Sequence, residues 1–254
     1  VPDHPFLAHP GPLAFAHRGG AGDWPENTMP AFEGAVRLGF RHLETDVHVT
    51  ADGVLVAFHD DRLDRVTDRQ GLIRDLPWSE VARARVDGRE PIPRFEELLE
   101  AFPDVHVNVD PKHDSAVDAL VEVLGRGDTL ERVCVGAFSD RRLARLRSSL
   151  GPGLCTSLGP AGVARLRAAA SGLPGGRFVS RCVQVPVRAG RVTIVDRRFV
   201  DAAHRRGLQV HVWTVDDPDE MARLLDLGVD GIMTDRPAVL RGVLEARGEW
   251  SSSP

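Results

Sequence analysis

LAFAHRGGAGDWPENTMPAFEGAVRLGFRHLETDVHV (residues 13–49) reads as a strand, a helix and a second strand. Apolar runs at 13–17 and 42–49 flank a segment, 30–39, with apolar residues at helical spacing and a terminal glycine. The rhythm continues outward. Further apolar runs stand at 105–111, 133–138, 153–158, 182–187, 209–215 and 231–235. Helical patterns fall at 95–102, 115–125, 140–150, 162–170, 198–207, 218–227 and 237–247. Eight strands alternating with helices over 254 residues point to an α/β fold, a (β/α)8 TIM barrel, with residues 1–254 as one domain. The competing architecture is an open doubly wound sheet. No GxGxxG opens a helix after a strand, which counts against a dinucleotide-binding version of it. The rhythm breaks once, at 51–104, a short insertion after the second strand region. An alternating run at 54–60 is expected to carry His59 to the barrel end that holds Glu44 and Asp46. Residues 60–92 are expected to form a small excursion over the active site rather than a second domain.

The composition excludes several classes. With 42% hydrophobic and 27% charged residues the chain is globular, and a net charge of -5 offers no footprint for nucleic acid. No apolar run approaches the roughly 18 residues of a membrane span. The first 17 residues lack a basic region followed by a long apolar core, so the expected location is cytoplasmic, with a mature secreted form also compatible. Cys134, Cys155 and Cys182 lie apart in or beside apolar runs and are expected to be buried free thiols. Lys112 is the sole lysine among many arginines. Nothing in the pattern sets the oligomeric state.

Barrel enzymes carry their chemistry at the C-terminal ends of strands. Those ends hold His17 and Arg18, Glu44 and Asp46, His59, Asp110 and Lys112, Phe138, Gln184 and Trp213. Glu44 and Asp46 are two apart on a strand and share a face, as do Asn108, Asp110 and Lys112. Three carboxylates on two strands suit a hard cation: Mg²⁺, Ca²⁺ or Mn²⁺. No His or Cys pair has zinc spacing. With two histidines, an arginine and a lysine, the set reads as a metal-assisted acid–base site for an anion. Plainer roles stand beside this one. Glu44 and Asp46 would pair with Arg41 or another surface arginine, Asp110 with Lys112, and His59 would cap a turn with Asp60 orienting it. Trp213 would pack in the wall. His48, beside a turn, is expected in solvent. Asn27 and Thr28 read as structural, with Thr28 capping the helix that Pro30 opens.

HRG (17–19), PENT (25–28), ETDV (44–47), TADG (50–53), His59-Asp60, Ile92-Pro93, VNVDPK (107–112), HVWTVDD (211–217) and LGVDGIMTDRP (227–237) together resemble the glycerophosphodiester phosphodiesterase family over almost the whole chain. The resemblance implies a TIM barrel and hydrolysis of small-molecule glycerophosphodiesters to glycerol 3-phosphate and an alcohol, with one divalent cation. It implies that His17 and His59 are the acid–base pair. Glu44 and Asp46 match metal ligands, and Arg18 and Lys112 match groups near the phosphate. Asp110 stands where the family has glutamate as third ligand, a departure that shortens the acid. Trp213 is the remaining expected substrate contact. Three rivals remain. A phospholipase-D-like enzyme for lysophospholipids requires an apolar groove, and Leu72, Ile73, Leu76 and Trp78 of the excursion are too few to make one. A barrel lyase would use Lys112 as a Schiff base. A non-catalytic phosphodiester-binding protein would not need both histidines.

Overall fold

The computed structural model describes residues 4–127 and 129–251. Its strands are β1 (Leu13–Ala16), β2 (His42–Val49), β3 (Leu55–Ala57), β4 (Arg85–Val86), β5 (Glu90–Pro91), β6 (His106–Pro111) and β7 (Val133–Val135). There follow β8 (Cys155–Thr156), β9 (Cys182–Pro186), β10 (Arg188–Ala189), β11 (Val192–Thr193), β12 (Gln209–Trp213) and β13 (Gly231–Thr234). The helices are α1 (Met29–Arg37), α2 (Trp78–Val81), α3 (Phe95–Ala101), α4 (Ala116–Leu124) and α5 (Asp140–Leu150). The rest are α6 (Pro160–Ala170), α7 (Arg197–His204), α8 (Pro218–Asp226) and α9 (Pro237–Ala246).

Eight strands pair in parallel in the order β8-β7-β6-β2-β1-β13-β12-β9. A parallel bridge between Ser157 and Cys182 joins the two ends, so the wall closes as a barrel. Each barrel strand coincides with an apolar run read in the sequence. β2 is buried at all eight positions, as a strand covered on both faces must be. Its odd-numbered residues Leu43, Thr45 and Val47 face away from the barrel axis. Leu43 and Val47 join the large apolar cluster, which also takes Phe32, Leu98, Leu120 and Phe199 from the helices. Its even-numbered residues face in. The parallel register sets His42 beside His106, Glu44 beside Asn108 and Asp46 beside Asp110. Truncating a core ring such as Phe32 to alanine would cost about 3–5 kcal/mol.

The run at 54–58 forms a strand that is not part of the wall. β3 lies antiparallel on the far half of β2, with Val47 opposite Ala57 and Val49 opposite Leu55. It turns the chain back so that His59 arrives beside the end of β2. The excursion beyond it has its own apolar cluster, including Val56, Phe58, Leu63, Ile73, Val81 and Val86. Only His59 from this stretch lines the central cavity, so the excursion borders the site and does not roof it.

Thr28 precedes α1 but does not cap it. Its Oγ1 donates to the Pro25 carbonyl at 2.7 Å. Pro30, at the second helical position, has no N–H to offer a cap.

The interior of the barrel has a different character from its outside. Residues Phe6, Leu7, Leu13, Phe15 and Met233 pack there with Cys134, Cys155 and Cys182, all three free and fully buried. The thiols are distant in sequence but lie together, with Cys134 and Cys182 Sγ atoms 3.8 Å apart. Phe6 comes from the short 3-10 turn Pro5–Leu7, which fills the N-terminal end. Its ring meets His42 and His106 edge-on, and those two imidazoles stack at 4.7 Å.

Burial holds these histidines neutral. It brings His106 down to about 4 and His211 to about 3, and drives His42, with help from His106, well below the usual imidazole value. In the unfolded chain they titrate near pH 6.5. The unfolded state therefore binds more protons as pH falls, and the stability these groups lend is complete only above about pH 6.5. Stability should decline from there toward about pH 4, each histidine adding up to about 1.4 kcal/mol per pH unit. Denaturant unfolding across this range reads the slope. His211→Gln should make it shallower; an unchanged slope would remove His211 from the account.

Candidate active site

The C-terminal ends of the strands open into a cavity of about 730 Å³. His17, Arg18, Glu44, Asp46, His59, Asp110, Lys112 and Trp213 all line it, so the groups singled out in the sequence meet in one place. The turn after β1 makes the first part of the site. Arg18 adopts a left-handed backbone, φ 50°, which is unusual for a side chain of its size. Gly19 follows at φ 80°, where a Cβ would stand 2.8 Å from that of Ala31. The turn thus closes directly onto α1. It aims the Arg18 N–H at Glu44 Oε2, 3.1 Å away.

Each histidine is held by a carboxylate. His17 Nδ1 lies 2.6 Å from Asp235 Oδ1, and His59 Nδ1 lies 2.6 Å from Asp60 Oδ1. A carboxylate at Nδ1 sets the tautomer with the proton on that nitrogen and leaves Nε2 for chemistry. His17 Nε2 is 3.7 Å from Glu44 Oε2. Burial alone would lower the His17 pKa, but Glu44 and Asp235 outweigh it and leave it raised.

The carboxylates are the most heavily desolvated charges in the cavity. Burial and the neighbouring Asp46 push Glu44 up to about 7. Asp46 is buried too, yet Lys112 and Arg18 hold it below the usual range. Asp110 is raised by burial. Lys112 Nζ spans Asp46 Oδ1 at 2.7 Å and Asp110 Oδ2 at 2.9 Å. Those two acids overcome its desolvation and raise its pKa, so Lys112 is a fixed ammonium and not a Schiff-base nucleophile. The plain pairing of Asp110 with Lys112 is therefore real, and Asp46 shares it. Glu44 and Asp46 do not pair with Arg41.

Two polar atoms of the cavity are left over. Asp110 Oδ1 and Arg18 Nε are buried without a hydrogen-bond partner, the latter 3.4 Å from Asp46 Oδ2 but poorly aligned. Unpaired buried groups cost about 1–3 kcal/mol each and commonly mark the place of an ion or ligand. Among the described residues, the cysteines are the set of three whose ligand atoms all lie within 4.8 Å of one another. The carboxylates are not so closely gathered, because the Lys112 ammonium stands between two of them.

The structure adds residues that the sequence reading placed elsewhere. His48 is buried, not in solvent. Its Nε2 contacts the His59 carbonyl at 3.0 Å, because β3 folds back across its position. Asn27, at φ 55°, is more than a turn residue. Its Nδ2 donates to Asp46 Oδ2 at 3.2 Å and its Oδ1 accepts from Thr45 at 2.8 Å. Asp235 went unnoticed. β13 pairs with β1, with Thr234 beside Ala16, so the residues after both strands must be neighbours; an acid at the end of the last strand was the available signal. Arg65 and Glu26 were also missed. Arg65 grips Asp60 at 2.6 Å and Glu26 at 2.7 Å, and Glu26 binds Arg18 at 3.1 Å. This chain of ion pairs joins the two histidine turns and brings Asp60 down to about 2, Arg65 being the main cause.

The model of the glycerophosphoryl diester phosphodiesterase family matches residues 17–239. A Mycobacterium tuberculosis protein described as probable glycerophosphodiester phosphodiesterase 2 is 42% identical, over 100% of this chain and 98% of its own length. A Silicibacter pomeroyi crystal structure, provisionally described as a glycerophosphoryl diester phosphodiesterase, is similar with a TM-score of 0.82 and 26% identity, covering 97% of this chain and 98% of its own. An Oleispira antarctica phosphodiesterase, solved with sn-glycerol-3-phosphate, shares the fold with a TM-score of 0.77 and 24% identity, covering 92% of this chain and 97% of its own.

If Asp235 sustains the raised His17 pKa, Asp235→Asn should lower the His17 titration midpoint toward or below the ordinary imidazole value. NMR titration of the ring measures it directly. An unmoved midpoint would show that Asp235 does not act on His17.

Proposed function

The chain belongs to the glycerophosphoryl diester phosphodiesterase family and is a phosphoric diester hydrolase; on that premise we propose that it cleaves glycerophosphodiesters to glycerol 3-phosphate and an alcohol, with His17 and His59 as its acid–base pair and a divalent cation held by Glu44, Asp46 and Asp110. The observation that carries this reading is the pair of His–Asp dyads at the mouth of a cavity that also holds three buried carboxylates and a lysine.

The donor set fits a hard cation. Burial and the neighbouring Asp46 raise Glu44 to about 7, and Asp110 keeps one oxygen without a partner. An oxygen-ligated Mg²⁺, Ca²⁺ or Mn²⁺ suits such groups. When bound, the ion supplies Lewis-acid stabilisation of phosphoryl charge. Lys112 and Arg18 add cationic donors on the same side of the cavity. His17 Nε2 takes the proton of the attacking hydroxyl, which belongs to water or to the glycerol arm itself. Asp235 stabilises the imidazolium that forms. His59, oriented by Asp60, gives a proton to the leaving alkoxide. Asn27 and the Arg18 amide keep the two β2 carboxylates in position meanwhile.

Removal of metal with a chelator should abolish release of glycerol 3-phosphate, and Mg²⁺, Mn²⁺ or Ca²⁺ should restore it. Full turnover by metal-stripped protein would defeat the cation assignment.

His17→Ala and His59→Ala should each lower kcat by about 10²–10⁴-fold. A substrate with an activated aryl leaving group needs no proton at that oxygen, so it should partly rescue His59→Ala and not His17→Ala. Rescue of the opposite variant would exchange the two roles.

A further inference from the structure

A second group of reactive side chains meets inside the barrel, away from the carboxylates. Cys134, Cys155 and Cys182 stand on the neighbouring strands β7, β8 and β9. All three belong to the interior cluster, whereas Val133, Val135 and Val183 beside them pack outward against the helices. Cys134 is directly opposite Cys155 across the β7–β8 pair, and Cys182 makes the bridge to Ser157 that joins β8 to β9. The three sulfurs all lie within 4.8 Å of one another, and those of Cys134 and Cys182 are 3.8 Å apart. Among the described residues, no histidine nitrogen or carboxylate oxygen joins this group.

The surroundings suit a soft ion. Phe6, Leu7, Leu13, Phe15 and Met233 pack around the sulfurs and offer no oxygen ligand. Hard cations require oxygen, and structural zinc takes four donors. Thiolates select soft ions such as copper(I), which is content with three. A bond from thiolate to a first-row d10 ion is about 2.3 Å, so three sulfurs in a plane around it stand about 4.0 Å apart. The spacing within the triad is close to this, and small side-chain rotations suffice to receive the ion. Two residues on from the cysteines stand Gly136, Ser157 and Gln184, which line the active-site cavity. Residues two apart share a strand face and lie about 6.6 Å apart along it. The sulfurs therefore sit one layer beneath the cavity floor, and Met233 belongs to both. Gly136 adds no side chain to that floor. Gln184 covers the gap, so that a Cβ on Gly136 would fall 2.9 Å from Gln184 Oε1. Rotation of Gln184 away from Asn108 Oδ1 opens a path for a bare ion.

We propose that Cys134, Cys155 and Cys182 form a buried trigonal site for one copper(I) ion. Binding exchanges thiol protons for the metal: the S–H bonds break, Cu–S bonds form, the protons pass to solvent and no electron is transferred. The cation supplies the positive charge that thiolates in an apolar interior require. The site is separate from the carboxylate centre in place and in chemistry, and it does not depend on the hydrolase reading. It also joins the staves that the sheet joins least. β7 has three residues and β8 two, and β8 meets β9 through an isolated bridge. A bound ion ties all three strands together from inside the wall.

The test uses the full chain, reduced and kept free of oxygen. Copper(I) is added as its acetonitrile complex against bicinchoninate, a coloured competitor. One ion per chain should be retained, with thiolate-to-copper charge-transfer absorption in the near ultraviolet. X-ray absorption at the copper edge should find three sulfur neighbours at about 2.3 Å and no nitrogen or oxygen. Cys134→Ala, Cys155→Ala and Cys182→Ala should each lower the affinity by about a hundredfold or more, beyond the roughly 10–100-fold that loss of a mere supporting partner costs. His17→Ala should leave it unchanged, which separates the triad from the imidazoles of the cavity. The copper-edge measurement is made on the unsubstituted chain, so it decides the question even where a variant does not fold. No copper retained against the competitor, or copper held by nitrogen or oxygen, would overturn the inference and leave the thiols as packing. Folded cysteine variants that keep the full affinity would overturn it as well.

Discussion

Glu44 and Asp46 sit inside the barrel with 5% and 1% of their surface exposed. Two acids on one strand face, so deeply desolvated, demand compensation from every neighbouring element. The demand explains otherwise unrelated features. The left-handed Arg18 delivers an amide to Glu44, the left-handed Asn27 delivers a side-chain donor to Asp46, and Lys112 bridges from β6. Each compensating group comes from a different segment. The acids thereby fix the positions of the β1 turn, the PENT loop and the end of β6 relative to one another.

The histidines are positioned by a second logic, in which carboxylates are the support and not the supported. Asp235 and Asp60 face the two Nδ1 atoms at the same distance, 2.6 Å, although one lies 218 positions from its histidine and the other is adjacent. The adjacent pair requires more external help. Arg65 and Glu26 tie Asp60 back to Arg18, and His48 secures the His59 carbonyl. A site histidine on an irregular segment needs bracing that one at a strand end receives from the sheet.

This difference also decides what was legible in the sequence. The eight wall strands were, because each is an apolar run long enough to be covered on both faces. The inward set of Glu44, Asp46 and Asp110 was, because a period of two forces same-parity residues to one side. His48 escaped because exposure was judged from its nearness to a turn, whereas an antiparallel return strand covers it. Asp235 escaped because its partner is set by barrel closure, which has no local signature. Cys134, Cys155 and Cys182 looked scattered for the same reason; adjacent staves bring them together. An apolar groove was sought in the excursion, at Leu72, Ile73, Leu76 and Trp78; the apolar side of the cavity lies instead across the barrel, where α6, the end of β12 and the segments after β7, β8 and β11 supply Phe138, Leu158, Val163, Ala164, Ile194 and Trp213, too scattered to form a pattern along the chain.

The join between β1 and β13 has a consequence for how the chain becomes an enzyme. β1 precedes the other wall strands in the chain, yet one of its edges has no partner until residues 231–234 are available. The His17–Asp235 pair forms across the same seam, so the carboxylate that holds this histidine depends on the last stave of the wall. Among the described wall strands the other pairings join successive staves, so this closure is the distant one, and an unclosed wall exposes a strand edge there. The closed wall and the His17–Asp235 pair thus await the same strand, β13.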